Sequence, residues 1–144
     1  MRSLLRKSFV AIILVVVVIS LTACIPTDEA KTQVAEFLSC LSEGDYESAE
    51  EYMHPDSPIN AEYLQAFVEE SQKAGADLSQ GIDKISYNNI QTSYYHSDVD
   101  GKRLVLGGEV TLLDGTSFEL SIEFVDNDGG YGISQFSATY SNPI

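Results

Sequence analysis

Histidine and tyrosine side chains are the residues of this sequence that could carry out acid–base chemistry. His54 follows a helical pattern, where an imidazole could act as a general base near neutral pH. A histidine at a helix C-terminus also interacts favourably with the helix dipole, so a structural role is favoured there. His96 precedes an aspartate-rich turn and is expected to be solvated. The candidate ligand-binding residues are therefore His54 and four tyrosines, although tyrosines in this sequence are more simply explained as core and rim aromatics: Tyr52, Tyr63, Tyr87 and Tyr94.

Two aspartate-rich segments, residues 98–101 and 126–129, contain the carboxylates that a calcium site needs. An EF-hand loop requires glycine at position 6 and glutamate at position 12. Placing Gly101 or Gly129 at position 6 puts Gly107 or Gln135 at position 12, so neither segment fits. Turn formation explains these aspartates. The sequence predicts no metal site, no cofactor and no catalytic residue, and we expect a protein that is not an enzyme.

Residues 1–23 have the order of a secretory signal peptide, a basic leader followed by an apolar run. The residues Leu21-Thr22-Ala23-Cys24 resemble the lipobox of bacterial lipoproteins. The resemblance implies cleavage before Cys24, diacylglycerol on its thiol and usually a fatty acid such as palmitate on the new N-terminus. A transmembrane anchor needs about 20 apolar residues, more than the run from residue 9 to residue 23 provides. An ordinary cleaved signal would leave Cys24 unexplained.

Lipid on Cys24 would hold the protein on the extracytoplasmic side of a membrane, because two acyl chains anchor stably. Residue 25 is isoleucine rather than aspartate, which favours the outer membrane in a host with two membranes and the cell membrane otherwise. Residues 24–27 would form a short tether, and residues 28–144 a single domain. Cys40 would have no intramolecular disulfide partner and is expected to be a small buried residue.

The mature chain is strongly acidic. The leader contains three of the eight basic residues, so five basic and 22 acidic residues remain, a formal charge of −17. This charge disfavours nucleic acid, whose phosphates attract lysine and arginine. It would instead attract a basic protein, peptide or small molecule.

Hydrophobic periodicity divides the mature chain into helices and then strands. An apolar stripe that includes Phe37 and Leu41 predicts a helix over about residues 28–43, and further helices follow over residues 46–53 and from Asn60. Alternation predicts four strands between residues 82 and 140, with bulges near Asn88 and between residues 133 and 136. A two-residue turn at Asp114-Gly115 would place the apolar residues of the two flanking strands on opposite faces of the sheet. We therefore expect a bulged or three-residue loop there.

This order predicts an α+β fold with N-terminal helices packed on a bent antiparallel four-stranded meander. The sequence resembles small bacterial lipoproteins that have a nuclear transport factor 2-like (cystatin-like) domain of unknown function. The resemblance is carried by residues 34–38, by Glu43-Gly44-Asp45-Tyr46 and by the predicted strands. The resemblance implies a cone, and the superfamily includes isomerases, cyclases and non-catalytic binding domains. We expect a membrane-anchored, non-catalytic ligand- or protein-binding lipoprotein. The alternatives are an isomerase- or cyclase-like enzyme, and an immunity-type surface lipoprotein that binds a basic toxin or peptide.

Lipid modification at Cys24 is directly testable. Metabolic labelling with a fatty-acid probe should mark the wild-type protein and leave Cys24→Ser unlabelled, because the thiol is the attachment point. Equal labelling of the two proteins would contradict the lipoprotein interpretation.

Overall fold

The computed structural model describes residues 25–94 and 101–141, so the signal peptide, Cys24 and His96 lie outside the described residues. Helices precede a four-stranded antiparallel sheet in which neighbouring strands are consecutive in sequence. The predicted α+β fold is confirmed. Within the described ranges, none of the helices has the length and hydropathy of a membrane span. The elements are α1 (Thr27–Glu43), α2 (Tyr46–Glu50), α3 (Ala61–Lys73), a 3₁₀ turn (Leu78–Gln80), β1 (Ile82–Tyr94), β2 (Lys102–Leu112), β3 (Ser117–Asn127) and β4 (Gly130–Tyr140).

Residues 25–27, predicted as a tether, are part of the folded domain. Ile25 is buried with the hydrophobic core, and α1 begins at Thr27, directly after Pro26. Burial of the isoleucine side chain stabilises this arrangement by removing apolar surface from water. Residue 24 is therefore adjacent in sequence to a buried residue rather than to a free linker.

The strand register agrees with the alternation of apolar residues. Val110 pairs with Phe118, and both are buried. A three-residue loop, Leu113-Asp114-Gly115, achieves this pairing and is closed by the Leu112 N–H, which donates to the Thr116 carbonyl oxygen at 2.8 Å. The pairing also shifts between Tyr87 and Asn89 and at the β3–β4 ladder beside Ser134. The three predicted irregularities are thus confirmed.

The core lies between α1 and the concave face of the sheet. Phe37 of α1 is fully buried and contacts Phe136 of β4, with ring centroids 5.6 Å apart. Phe67 of α3 packs edge-on against the same Phe136 ring at 4.8 Å. One aromatic cluster therefore joins two helices to the last strand, and Leu41 continues the buried side of α1.

The second helix is shorter than predicted, because it ends at Glu50 rather than near Met53. The backbone that follows pairs with β4 instead of continuing the helix. Met53 forms a parallel bridge with Ile133. The His54 N–H donates to the Ile133 carbonyl oxygen at 2.8 Å, and the Ile133 N–H donates to the Tyr52 carbonyl oxygen at 2.9 Å. Residues 52–57, which we call the β4-edge segment, thus cover the start of this edge strand.

Candidate functional site

Among the described residues, side chains almost fill the interior of the cone. The cavity against the concave face has a volume of about 10 Å³, which is about the space for one water molecule. Pockets that hold small molecules usually measure roughly 300–1,000 Å³. The residues that line this cavity are mostly apolar: Val34, Ile85, Tyr87, Leu106, Gly108, Leu120 and Ile122.

Tyr87 is the residue with a polar side-chain atom in this lining. Its hydroxyl is buried and has no hydrogen-bond partner within the described residues. Burial raises the pKa of Tyr87 above its usual range, so the hydroxyl is neutral at physiological pH. The Lys31 ammonium nitrogen lies 5.0 Å from the centroid of the Tyr87 ring, a cation–π distance.

His54 is buried at the turn between β3 and β4, away from the cone cavity. Its Nε2 lies 2.9 Å from Asn127 Oδ1 and 3.0 Å from the Gly130 carbonyl oxygen. Its Nδ1 accepts the Asp56 N–H at 3.0 Å, so Nε2 is the ring nitrogen that donates to these two oxygens. Both nitrogens are occupied, so the imidazole is a structural link rather than a free base. The expected helix-dipole role is wrong, because α2 ends four residues earlier.

Gly132 allows the β4-edge segment to approach β4 closely. A Cβ atom at this position would lie 2.5 Å from the His54 nitrogen and 2.7 Å from the Met53 carbonyl carbon. Both atoms belong to the backbone and cannot move aside without breaking the pairing with Ile133. The absence of a side chain at Gly132 therefore determines where Tyr52 and Glu51 lie relative to β4.

A surface groove of about 310 Å³ lies beside this contact, lined by Gln33, Glu51, Tyr52, Tyr131 and Gly132. We call it the α1–β4 groove. The Tyr52 hydroxyl donates to Glu36 Oε2 at 3.0 Å, and the Tyr131 hydroxyl donates to Gln33 Oε1 at 2.8 Å. Two hydrogen bonds therefore connect the tyrosines of the groove to α1.

The groove tyrosines are both neutral at physiological pH. Donation to the Glu36 carboxylate, followed by burial, raises the pKa of Tyr52. Burial raises the pKa of Tyr131 to about 12, and the negative charges of Glu29 and Asp126 contribute. The Tyr131 ring also stacks on Phe124, with centroids 5.9 Å apart and an angle of 17° between the planes. The hydroxyls are thus suited to hydrogen bonding and the rings to packing, and neither would act as a base.

The predicted ligand-binding residues do not form one site. Tyr52 lines the groove, Tyr87 lines the cone cavity, and His54 links the β4-edge segment to a turn. Tyr63 is exposed on α3, with its ring 6.2 Å from that of Phe136. Tyr94 ends β1, and its side chain lies outside the described residues.

The sequence did not indicate the other residues of the groove. Gln33 belongs to α1, Glu51 follows the last residue of α2 and Tyr131 belongs to β4, and the hydrogen-bonded pair Gln33–Tyr131 is separated by 98 positions. No local spacing connects such residues. A long-range backbone contact at Gly132 brings them together, and a single glycine in a strand gives only a general sign of close backbone approach.

Cys40 and the carboxylates offer no metal site or reactive thiol in the described ranges. No group of three histidine, cysteine, aspartate or glutamate residues is placed to hold a metal ion there. Cys40 is half-buried against the core. Burial, together with the charges of Asp45 and Glu43, raises the pKa of its thiol, which therefore stays protonated and weakly reactive.

Helices that cover the concave face of a bent antiparallel sheet define this molecule as an α+β cone. Its fold is that of the nuclear transport factor 2-like proteins, the cystatin-like fold. A crystal structure of such a protein from Novosphingobium aromaticivorans is similar to this chain with a TM-score of 0.52 and 12% identity, over 88% of this chain and 87% of the other. A second protein of this kind, from Cytophaga hutchinsonii, matches with a TM-score of 0.48 and 14% identity, over 81% and 100% of the two chains. No model of a protein family matches the sequence, and neither does any curated protein.

The hydroxyls of Tyr87 and Tyr131 should respond oppositely to removal. Tyr87→Phe should leave the free energy of unfolding unchanged or raise it by about 1 kcal/mol, because an unpaired buried hydroxyl is costly. Tyr131→Phe should lower it by about 1 kcal/mol, because that hydroxyl is hydrogen-bonded to Gln33. Urea unfolding measures both values. A clear loss of stability in Tyr87→Phe would show that its hydroxyl has a partner inside the cone.

Proposed function

We propose that this protein is a membrane-anchored extracytoplasmic lipoprotein whose domain binds a partner on its outer surface without transforming it. Anchoring is inferred from the sequence Leu21-Thr22-Ala23-Cys24, which lies outside the described residues. The buried position of Ile25 is compatible with it, because a lipid on residue 24 would hold the domain close to the bilayer.

The filled cone is the observation that carries the non-catalytic part of the proposal. An active site inside the cone would need both space for a substrate and an inward acid or base. The cavity of about 10 Å³ provides no such space. His54 and Ser71 are the buried polar or charged residues of the described ranges, and both nitrogens of His54 are hydrogen-bonded away from the cavity.

An isomerase- or cyclase-like enzyme is the second candidate, favoured by one observation. Tyr87 lines the cone cavity and has a buried hydroxyl without a hydrogen-bond partner among the described residues, which could donate to a bound molecule. Binding would require the side chains around Val34 and Leu120 to move apart first. Because these side chains form the core, that opening would expose apolar surface to water and cost stability.

A ligand panel distinguishes these two functions. The full chain, purified in detergent, would be heated with steroid-like and aromatic polyketide-like molecules and with general metabolites. We expect no increase in melting temperature, because the cone has no room for them. A ligand at 100 times its dissociation constant would stabilise the protein by about 2.7 kcal/mol, so binding would be visible.

Two matched variants locate any ligand that raises the melting temperature. Val34→Ile adds one methyl group to the cone cavity, and Val105→Ile adds the same group on the outer face of the sheet. Stabilisation by a ligand in the wild type and in Val105→Ile, but not in Val34→Ile, would place it inside the cone. That result would overturn binding on the outer surface, and turnover of the same ligand would overturn the non-catalytic part of the proposal in favour of the enzyme.

A further inference from the structure

The α1–β4 groove combines two tyrosine rings with the Glu51 carboxylate, where α1 and β4 meet the chain that follows α2. We propose that it binds a lysine or arginine side chain of a basic peptide or protein. The proposal rests on the non-catalytic binding function and names the site and the chemistry of the partner. The volume of the groove, about 310 Å³, would accommodate one long side chain and part of the peptide backbone.

The tyrosine rings of the groove are held in place before any partner arrives. Tyr131 is packed on Phe124 and hydrogen-bonded to Gln33, and Tyr52 packs edge-on against Phe37 with centroids 6.4 Å apart. Rings fixed in this way lose little freedom on binding, which favours affinity. A cation within about 6 Å of such a ring is attracted by its quadrupole.

The charges around the groove favour a cation. Within the described residues, the Glu51 carboxylate makes no hydrogen bond or ion pair. Glu36 accepts the Tyr52 hydroxyl, and the charges of Glu29 and Asp126 act on Tyr131. The described lining of the groove contains no lysine or arginine. An ammonium or guanidinium group would therefore meet an unpaired carboxylate and no competing protein cation.

The chemistry of the groove favours an organic cation over the other charged partners. A metal ion would need several converging ligands, and the described residues hold no group of three suitable side chains. Phosphate-bearing partners would be repelled by Glu51 and by a mature charge that the sequence sets at −17, from five basic and 22 acidic residues. A basic peptide is attracted both by this long-range field and by the local carboxylate.

The test uses a fluorescent hexalysine peptide and the full chain in detergent, with binding followed by anisotropy at about 0.15 M salt. Glu51→Lys should weaken binding by about tenfold, because it replaces an attractive charge in the groove with a repulsive one. Glu119→Lys makes the same charge change at an exposed position on the outer face of β3 and should weaken binding by about twofold at most.

A second pair of variants tests the groove by gain of affinity. Gln33→Glu adds a carboxylate that can still accept the Tyr131 hydroxyl, and should tighten binding by about threefold. Gln91→Glu makes the same change at an exposed position of β1, on the opposite edge of the sheet, and should have little effect.

Each contrary outcome is distinct. Equal weakening by Glu51→Lys and Glu119→Lys would show diffuse attraction to an acidic surface and would overturn the groove as the site. Failure of the wild type to bind hexalysine would overturn the cationic partner. Either failure leaves the lipoprotein proposal standing, because fatty-acid labelling and the ligand panel test it separately.

Discussion

The packing of α1 on the concave face of the sheet is the interaction on which the rest of the structure depends. Its buried side, centred on Phe37, contacts the aromatic ring of Phe136 and fills the interior of the cone. The flank of this buried side presents Gln33 and Glu36 to the tyrosines of the α1–β4 groove. One helix therefore packs into the interior of the cone and also builds a wall of the surface groove.

The β4-edge segment is the second constraint, and it follows from the absence of a side chain at Gly132. The chain leaves α2, pairs with β4 through Ile133, and is linked by His54 to the β3–β4 turn. This arrangement protects part of an edge strand, which would otherwise expose unpaired backbone groups. It also holds Tyr52 next to Tyr131, so the same contacts that stabilise the edge define the groove.

Local patterns were sufficient to predict much of the fold. The alternation of apolar residues required Val110 and Phe118 to face the same side, and the three-residue loop at Asp114-Gly115 follows from that requirement. The end of α2 was not predictable in this way, because pairing of Met53 with Ile133 competes with helix formation and depends on distant residues. The residual volume of the cone depends on how side-chain sizes match the curvature of the sheet, which periodicity does not measure. The sequence did not predict the groove, because its residues meet only through tertiary contacts.

Binding of the partner outside the cone is the property on which the proposed function depends. Chemical-shift mapping of the ¹⁵N-labelled full chain in detergent, titrated with hexalysine, tests this property most directly. The account predicts that the largest amide shifts occur at Gln33, Glu51 and Gly132, around the groove. Largest shifts at Leu106, Leu120 and Ile122, which line the interior, would contradict it and show that the cone opens to receive the ligand.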